Sequence, residues 1–131
     1  MLKKTITYTD FNGNERTETH YFHLTQAEAL ELEMSASGGL SEHVRRIVEA
    51  QDTPTLIKLW KEIIKMAYGV KSPDGKKFEK SEELFKEFAQ TNAYSKLFME
   101  LSTNADEAAK FVNGIMDIVE PNGTKAITTT N

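Results

Sequence analysis

The sequence predicts a mainly α-helical domain, in which an N-terminal β-hairpin is followed by a bundle of five to six short helices. Alternating β-branched and aromatic residues over residues 3–24 indicate the hairpin. Apolar residues at helical spacing over residues 25–118 indicate the helices. We expect a single domain over residues 1–120 and a flexible C-terminal tail over residues 121–131.

The hairpin has an Asn-Gly pair, Asn12 and Gly13, between its two predicted strands. Such a pair favours a two-residue type I′ turn. The register that this turn implies pairs Lys4 with Tyr21, Ile6 with Thr19 and Tyr8 with Thr17. Ile6, Tyr8 and Tyr21 would then share one apolar face. Because a two-stranded hairpin has two open edges, it must pack on the helices or pair with another chain.

Capping and turn residues divide the rest of the chain into helices. The predicted helix starts lie at Thr25, Ser41, Pro54, Ser81, Thr91 or Asn92, and Asn104. Thr25 and Glu28 form a capping box. Gly69 is predicted to cap the C-terminus of the third helix. A turn with Pro73 and Gly75 at favoured positions is predicted to follow.

The third predicted helix, residues 54–68, is the most apolar segment, with only a narrow stripe of Lys58, Lys61, Glu62 and Lys65. A helix that is apolar nearly all round is central to a core or buried in an assembly. The side chains expected to be mostly buried are Trp60, Ile63, Phe85, Phe88, Leu97, Phe98 and Phe111.

Composition and charge narrow the classes of function. The chain has 131 residues, no cysteine and a net charge of −4, which excludes cysteine chemistry and argues against general nucleic-acid binding. No apolar run suggests a signal peptide or a membrane span, so a cytoplasmic location is expected. Residues 54–86 are net basic and lie between acidic flanks, a distribution that suits an acidic protein partner or self-association.

The sequence shows no pattern of catalytic, cofactor-binding or metal-binding residues. On a strand His20 and His23 point to opposite faces, and His43 stands alone on a helix. No further ligand residue completes a metal site with Glu28, Glu31 and Glu33. No phosphate loop, dinucleotide fingerprint or nucleophile elbow occurs, so no enzymatic activity is expected and the partner-binding residues stay open.

A helix-turn-helix formed by residues 41–50 and 54–68 is an alternative interpretation, and it implies a small DNA-binding regulator. The second helix, however, presents mainly Ile, Leu and Trp, which are unsuited to reading base edges. The residues themselves therefore favour a binding or assembly protein.

Several segments also resemble a known family. They include the opening KKTITYTDFNGNE and the later YGVKSPDGK and FAQTNAY, and they cover residues 3–15, 21–25, 38–40, 47–52, 68–76, 88–94, 97–101 and 108–115. In these segments the chain resembles the short tail assembly chaperones of long-tailed, siphovirus-type bacteriophages and prophages of Gram-positive bacteria. The resemblance extends to about residue 116.

The resemblance implies a role without catalytic residues. Proteins of this kind coat the tape measure protein, keep it soluble and recruit tail tube subunits. They act in the cytoplasm of the bacterial host and are absent from the mature virion. The expected partners are thus the tape measure and tail tube proteins, together with further copies of the chain and no nucleic acid or membrane. A tail-completion protein or another structural virion component is the alternative.

Overall fold

The computed structural model describes residues 1–36 and 38–116, and the predicted tail, 121–131, lies outside them. The elements are β1 (Leu2–Thr9), β2 (Glu15–Phe22), α1 (Gln26–Ser35), α2 (Leu40–Ala50), α3 (Thr53–Ala67), β3 (Tyr68–Lys71), β4 (Phe78–Glu79), α4 (Glu82–Ala89), α5 (Asn92–Thr103) and α6 (Ala105–Met116). The predicted fold class is confirmed. Two short strands that were not predicted, β3 and β4, complete an antiparallel sheet in the order β1-β2-β3-β4.

The predicted register of the hairpin is wrong by one residue. Tyr8 lies opposite Arg16 and Ile6 lies opposite Glu18. The connection is a five-residue loop rather than a two-residue turn, because the side chain of Asp10 accepts hydrogen bonds from the backbone N–H groups of Asn12 and Asn14, both at 2.9 Å. Asp10 also pairs with Arg16 at 2.7 Å, which fixes the base of the loop.

The one-residue shift exchanges the two faces of β2. Tyr21 was expected on the apolar face but lies on the opposite face, near Lys71. His20 and Phe22 instead share the inner face with Ile6. Phe22 is fully buried, and its ring packs against Tyr68, Phe88 and Phe111.

The hairpin does not keep the two open edges that were expected. Side chains of α5 cover the outer edge of β1 at a spacing of four residues. The contacts are Asn92 Nδ2 to Thr9 O (2.9 Å), Lys96 Nζ to Thr7 O (3.0 Å) and Lys4 Nζ to Glu100 Oε1 (3.0 Å). Four helical residues rise about 6 Å and two strand residues about 6.7 Å, so the step from Asn92 to Lys96 matches the step from Thr9 to Thr7. The long side chain of Lys4, three residues further along β1, reaches Glu100. On the other side, β2 pairs with β3 through Tyr21 and Phe22.

Two predicted helix boundaries are also wrong. Gly69 does not cap α3, which ends at Ala67, but belongs to β3. A Cβ atom at Gly69 would lie 2.5 Å from the ring of Phe78, so the close approach of β4 requires glycine. Ser41 was predicted to cap α2, but the helix begins at Leu40 and Gly39 is its N-cap residue.

The other predicted helix starts agree with the structure, and the predicted turn at Pro73 is confirmed. The capping box of Thr25 and Glu28 is present. Pro54 lies in the first turn of α3. Gly75 N donates to Ser72 O at 2.9 Å, and this turn joins β3 to β4.

The core lies between the sheet and α2, α3, α4, α5 and α6. Of the seven side chains expected in it, six are buried, and Phe98 is only partly buried at its edge. Trp60 is fully buried and its ring meets Phe111 edge-on at 5.9 Å. α3 is not buried all round, because Ile57 is 49% exposed.

Candidate partner-binding surface

The residues first considered for chemistry lie apart and have structural roles. His20 packs against the ring of Phe88 at 4.9 Å, and burial lowers its pKa. His23 meets Phe78 edge-on, 6.2 Å between ring centroids. Of the three histidines, which all lie in the described part of the chain, His43 is the one that lines an accessible cleft. In residues 1–36 and 38–116, no group of three His, Asp or Glu side chains is arranged to hold a metal ion.

The three glutamates of α1 serve different purposes. Glu28 completes the capping box. Glu33 Oε1 accepts a hydrogen bond from Leu40 N at 3.1 Å and so caps the next helix. Glu31 is exposed. The apparent acidic cluster therefore divides into two helix caps and one solvent-exposed charge.

A lysine that the sequence analysis did not single out fastens α1 to the body of the protein. Lys80 Nζ donates to Glu28 Oε1 at 2.7 Å, to Met66 O at 2.9 Å and to His23 O at 3.1 Å. Burial alone would raise the pKa of Glu28, but hydrogen bonds from Lys80 and Thr25 outweigh it, and the pKa is lowered. The first turn of α1 is thus held beside the last turn of α3.

An apolar groove of about 630 Å³ lies between α1, α2 and α3. The apolar side chains that line it are Leu32, Ala36, Leu40, Leu59, Ile63 and Met66. Polar residues at its margin include Glu28, Ser35, His43, Glu62, Lys65 and Lys80. An apolar floor with a polar margin is typical of a surface that binds another molecule.

α1 is apolar on two sides. Ala29 and Leu32 pack against the core, while Leu30 and Met34 point outward and are 61% and 78% exposed. Leu30 and Met34 are four residues apart and therefore adjacent on the helix surface. A helix with apolar side chains on opposite sides is favourable when a partner covers the side that the domain leaves open.

A strip of lysines runs along the solvent side of α3, next to the groove. Lys58, Lys61 and Lys65 are exposed and follow helical spacing. Only Lys65 forms an ion pair within the part of the chain that the structure describes, at 3.5 Å from Glu82, and both partners are largely exposed. Such a pair contributes little, so the strip stays available to a partner.

The sequence contained a partial signal for this surface. Three members of the narrow polar stripe that the sequence predicts for this helix, Lys58, Lys61 and Lys65, form the lysine strip. The opposite wall was missed, because the contact between α1 and α3 depends on Lys80, which is 52 positions from Glu28. Among the described residues, no helix is long and apolar enough to cross a membrane.

The comparisons with known proteins identify the family. A family model described as phage tail assembly chaperone matches residues 1–123. The match spans most of the 131 residues, and the chain belongs to the phage tail assembly chaperone family. No curated protein and no solved structure matches the chain.

Proposed function

We propose that this chaperone binds the tape measure protein of a long-tailed phage or prophage of Gram-positive bacteria, keeps it soluble and helps to recruit tail tube subunits. The family match carries the proposal. The apolar groove and the exposed side of α1 support it, because a chaperone needs an accessible apolar surface that a second chain can cover.

The proposed action is non-enzymatic and needs no cofactor. A chaperone of this kind shields apolar side chains of a long partner until another subunit replaces it. Partly exposed apolar contacts and rim charges suit this task, because moderate affinity permits release. We propose that the protein works in the host cytoplasm and is left out of the finished virion.

Co-expression with the tape measure protein tests the proposal. We expect the tape measure protein to be more soluble in the presence of the chaperone, and the two to co-purify. Equal solubility with and without the chain, and no co-purification, would contradict the proposal. Presence in purified virions would instead favour the structural virion component.

A DNA-binding regulator finds less support in the geometry. α3, the recognition helix of that alternative, buries Trp60, Ile63 and Ile64 in the core. Among its exposed residues, the lysine strip is the part best suited to contact DNA, and lysines at these positions suit phosphate contacts better than base reading. A mobility-shift assay with duplex DNA over a range of salt concentrations tests this alternative, and the chaperone proposal expects no shift at physiological salt.

Weak self-association stays a prediction. Since α5 covers β1, the open edge that the hairpin keeps is on β2, where β3 pairs only with Tyr21 and Phe22. Phe11, at the tip of the hairpin, is 80% exposed and could add an apolar contact. Light scattering over a range of protein concentrations would detect a concentration-dependent increase in mass, and a constant monomer mass would contradict it.

A further inference from the structure

We propose that the groove between α1, α2 and α3 binds one amphipathic helix of the partner, and that this helix carries acidic residues along the flank that faces Lys58, Lys61 and Lys65. The inference rests on the proposed chaperone function and adds to it the binding surface, the form of the bound segment and its charge pattern.

The walls of the groove favour a helix as the bound segment. α1, α2 and α3 form three sides of the groove, and Lys80, Ser81 and Glu82 close the remaining side at the start of α4. None of the lining residues belongs to a β-strand with which an extended peptide could pair. On α3, Leu59, Ile63 and Met66 recur at intervals of four and three residues, which is the ridge that a helix presents to another helix. Leu32 faces them from α1. A helix of the partner can therefore pack its own apolar stripe between α1 and α3.

The charges on the two sides of the groove differ in sign. The α3 side carries the lysine strip, in a region where residues 54–86 are net basic although the whole chain has a net charge of −4. The α1 helix has no basic residue, Lys80 is paired with Glu28 on this side, and Glu31 is exposed. A helix with one acidic and one basic flank would complement both sides in one orientation only.

The lysine strip is also largely uncommitted within the protein. Lys58 and Lys61 form no ion pair within the described residues. Glu62 and Glu82 line the groove on this side, so the three lysines of the strip still outnumber the two carboxylates. Rim charges of this kind mainly set orientation, partner choice and association rate, while the apolar floor supplies most of the affinity.

Binding of the full-length chaperone to overlapping peptides of the tape measure protein tests the charge pattern. Lys58→Glu combined with Lys61→Glu should weaken the best-binding peptide about tenfold at low salt, and less at high salt. Lys76→Glu combined with Lys77→Glu is the matched control, because these lysines are exposed in the turn between β3 and β4. Equal effects of the two double variants would overturn the assignment of the acidic flank.

Filling the groove tests the surface itself. Ser35→Trp adds a large ring at the groove from an exposed position, and binding should fall more than tenfold. Thr103→Trp is the control. Like Ser35, Thr103 is exposed at the end of a helix, and its hydroxyl donates a hydrogen bond to a backbone carbonyl. If Ser35→Trp does not fold, Glu62→Trp fills the groove from the opposite wall.

The outcomes separate the site from the function. If the wild-type chain does not bind the tape measure protein, the proposed function fails and this inference fails with it. If it binds and the groove variants bind equally well, the function stands and the groove is wrong. Loss of self-association by Ser35→Trp with unchanged peptide binding would assign the groove to a second copy and overturn the proposal.

Discussion

Helices α1 and α6 have similar lengths, 10 and 12 residues, but opposite relations to the core. α6 buries six side chains, namely Ala108, Ala109, Phe111, Val112, Ile115 and Met116. α1 buries none completely. It is held by the cap that Glu33 provides for α2, by the contacts of Lys80, and by partly buried side chains such as Leu32.

This difference separates the part of the molecule that provides stability from the part that is available for binding. Burial of large apolar side chains dominates folding free energy, so α6 should be among the last elements to open. α1, held by polar contacts and a few partly buried side chains, should open at lower cost. The proposed contact surface therefore does not carry the stability of the domain, which would favour release of a bound partner.

The largest effect is expected in α6, from Phe111→Ala. The ring of Phe111 is 3% exposed and contacts Phe22 and Trp60, so its removal leaves a cavity that three elements cannot easily fill. We expect a loss of about 3–5 kcal/mol in the free energy of unfolding. Denaturant unfolding followed by fluorescence measures it. A loss below about 1 kcal/mol would contradict the central position of α6.

A smaller loss is expected for Gly69→Ala, where β3 and β4 meet. The added methyl group would lie 2.5 Å from Phe78 Cε2 and 2.8 Å from Glu79 O, and the backbone atom cannot move aside easily. We expect a loss of roughly 1–3 kcal/mol in thermal or denaturant unfolding. Gly114→Ala is the control, because its nearest neighbour is the flexible end of Leu2 at 2.9 Å. Equal losses would refute the close-approach argument.

Lys80→Met tests how α1 is attached. The change removes the three hydrogen bonds of Lys80 and should cost about 1–2 kcal/mol, because the site is only partly screened by solvent. The folded-state pKa of Glu28 lies below its ordinary value of 4.5, so its contribution is present above that pH and is lost as pH falls through the lowered pKa.

The difference in unfolding free energy between wild type and Lys80→Met should therefore shrink when the pH is lowered below 4.5. Urea titrations at neutral and acidic pH measure it. Lys86→Met is the control, since Lys86 is exposed in α4. If the difference does not change with pH, the stabilisation by Lys80 does not depend on the ionised form of Glu28.

Local signals account for what was predictable from the sequence. The capping box at Thr25, the cap at Asn104 and the turn at Pro73 each depend on residues within a few positions, and all three occur in the structure. The hairpin register failed because Asp10 organises a longer loop than Asn12 and Gly13 alone would favour.

Long-range contacts account for what was missed. The short strand β4 was missed because its pairing with β3 depends on the absence of a side chain at Gly69, where the ring of Phe78 approaches. The groove was missed because Lys80 joins Glu28 to Met66 across the fold. Spacing along one helix identifies an apolar stripe but does not say which neighbouring helix covers it.

The smallest effect is expected on the outer side of α1. Leu30→Ser combined with Met34→Ser should change the free energy of unfolding by less than about 0.5 kcal/mol, because both side chains are largely exposed. Leu32→Ser, on the inner side of the same helix, is the matched control and should cost more than about 1 kcal/mol, since Leu32 packs against the core. Denaturant unfolding of the three proteins measures both values. If Leu30→Ser with Met34→Ser lost as much stability as Leu32→Ser, the outer side of α1 would already be covered within the protein or by a second copy. The proposal that this side is available to a partner would then be wrong.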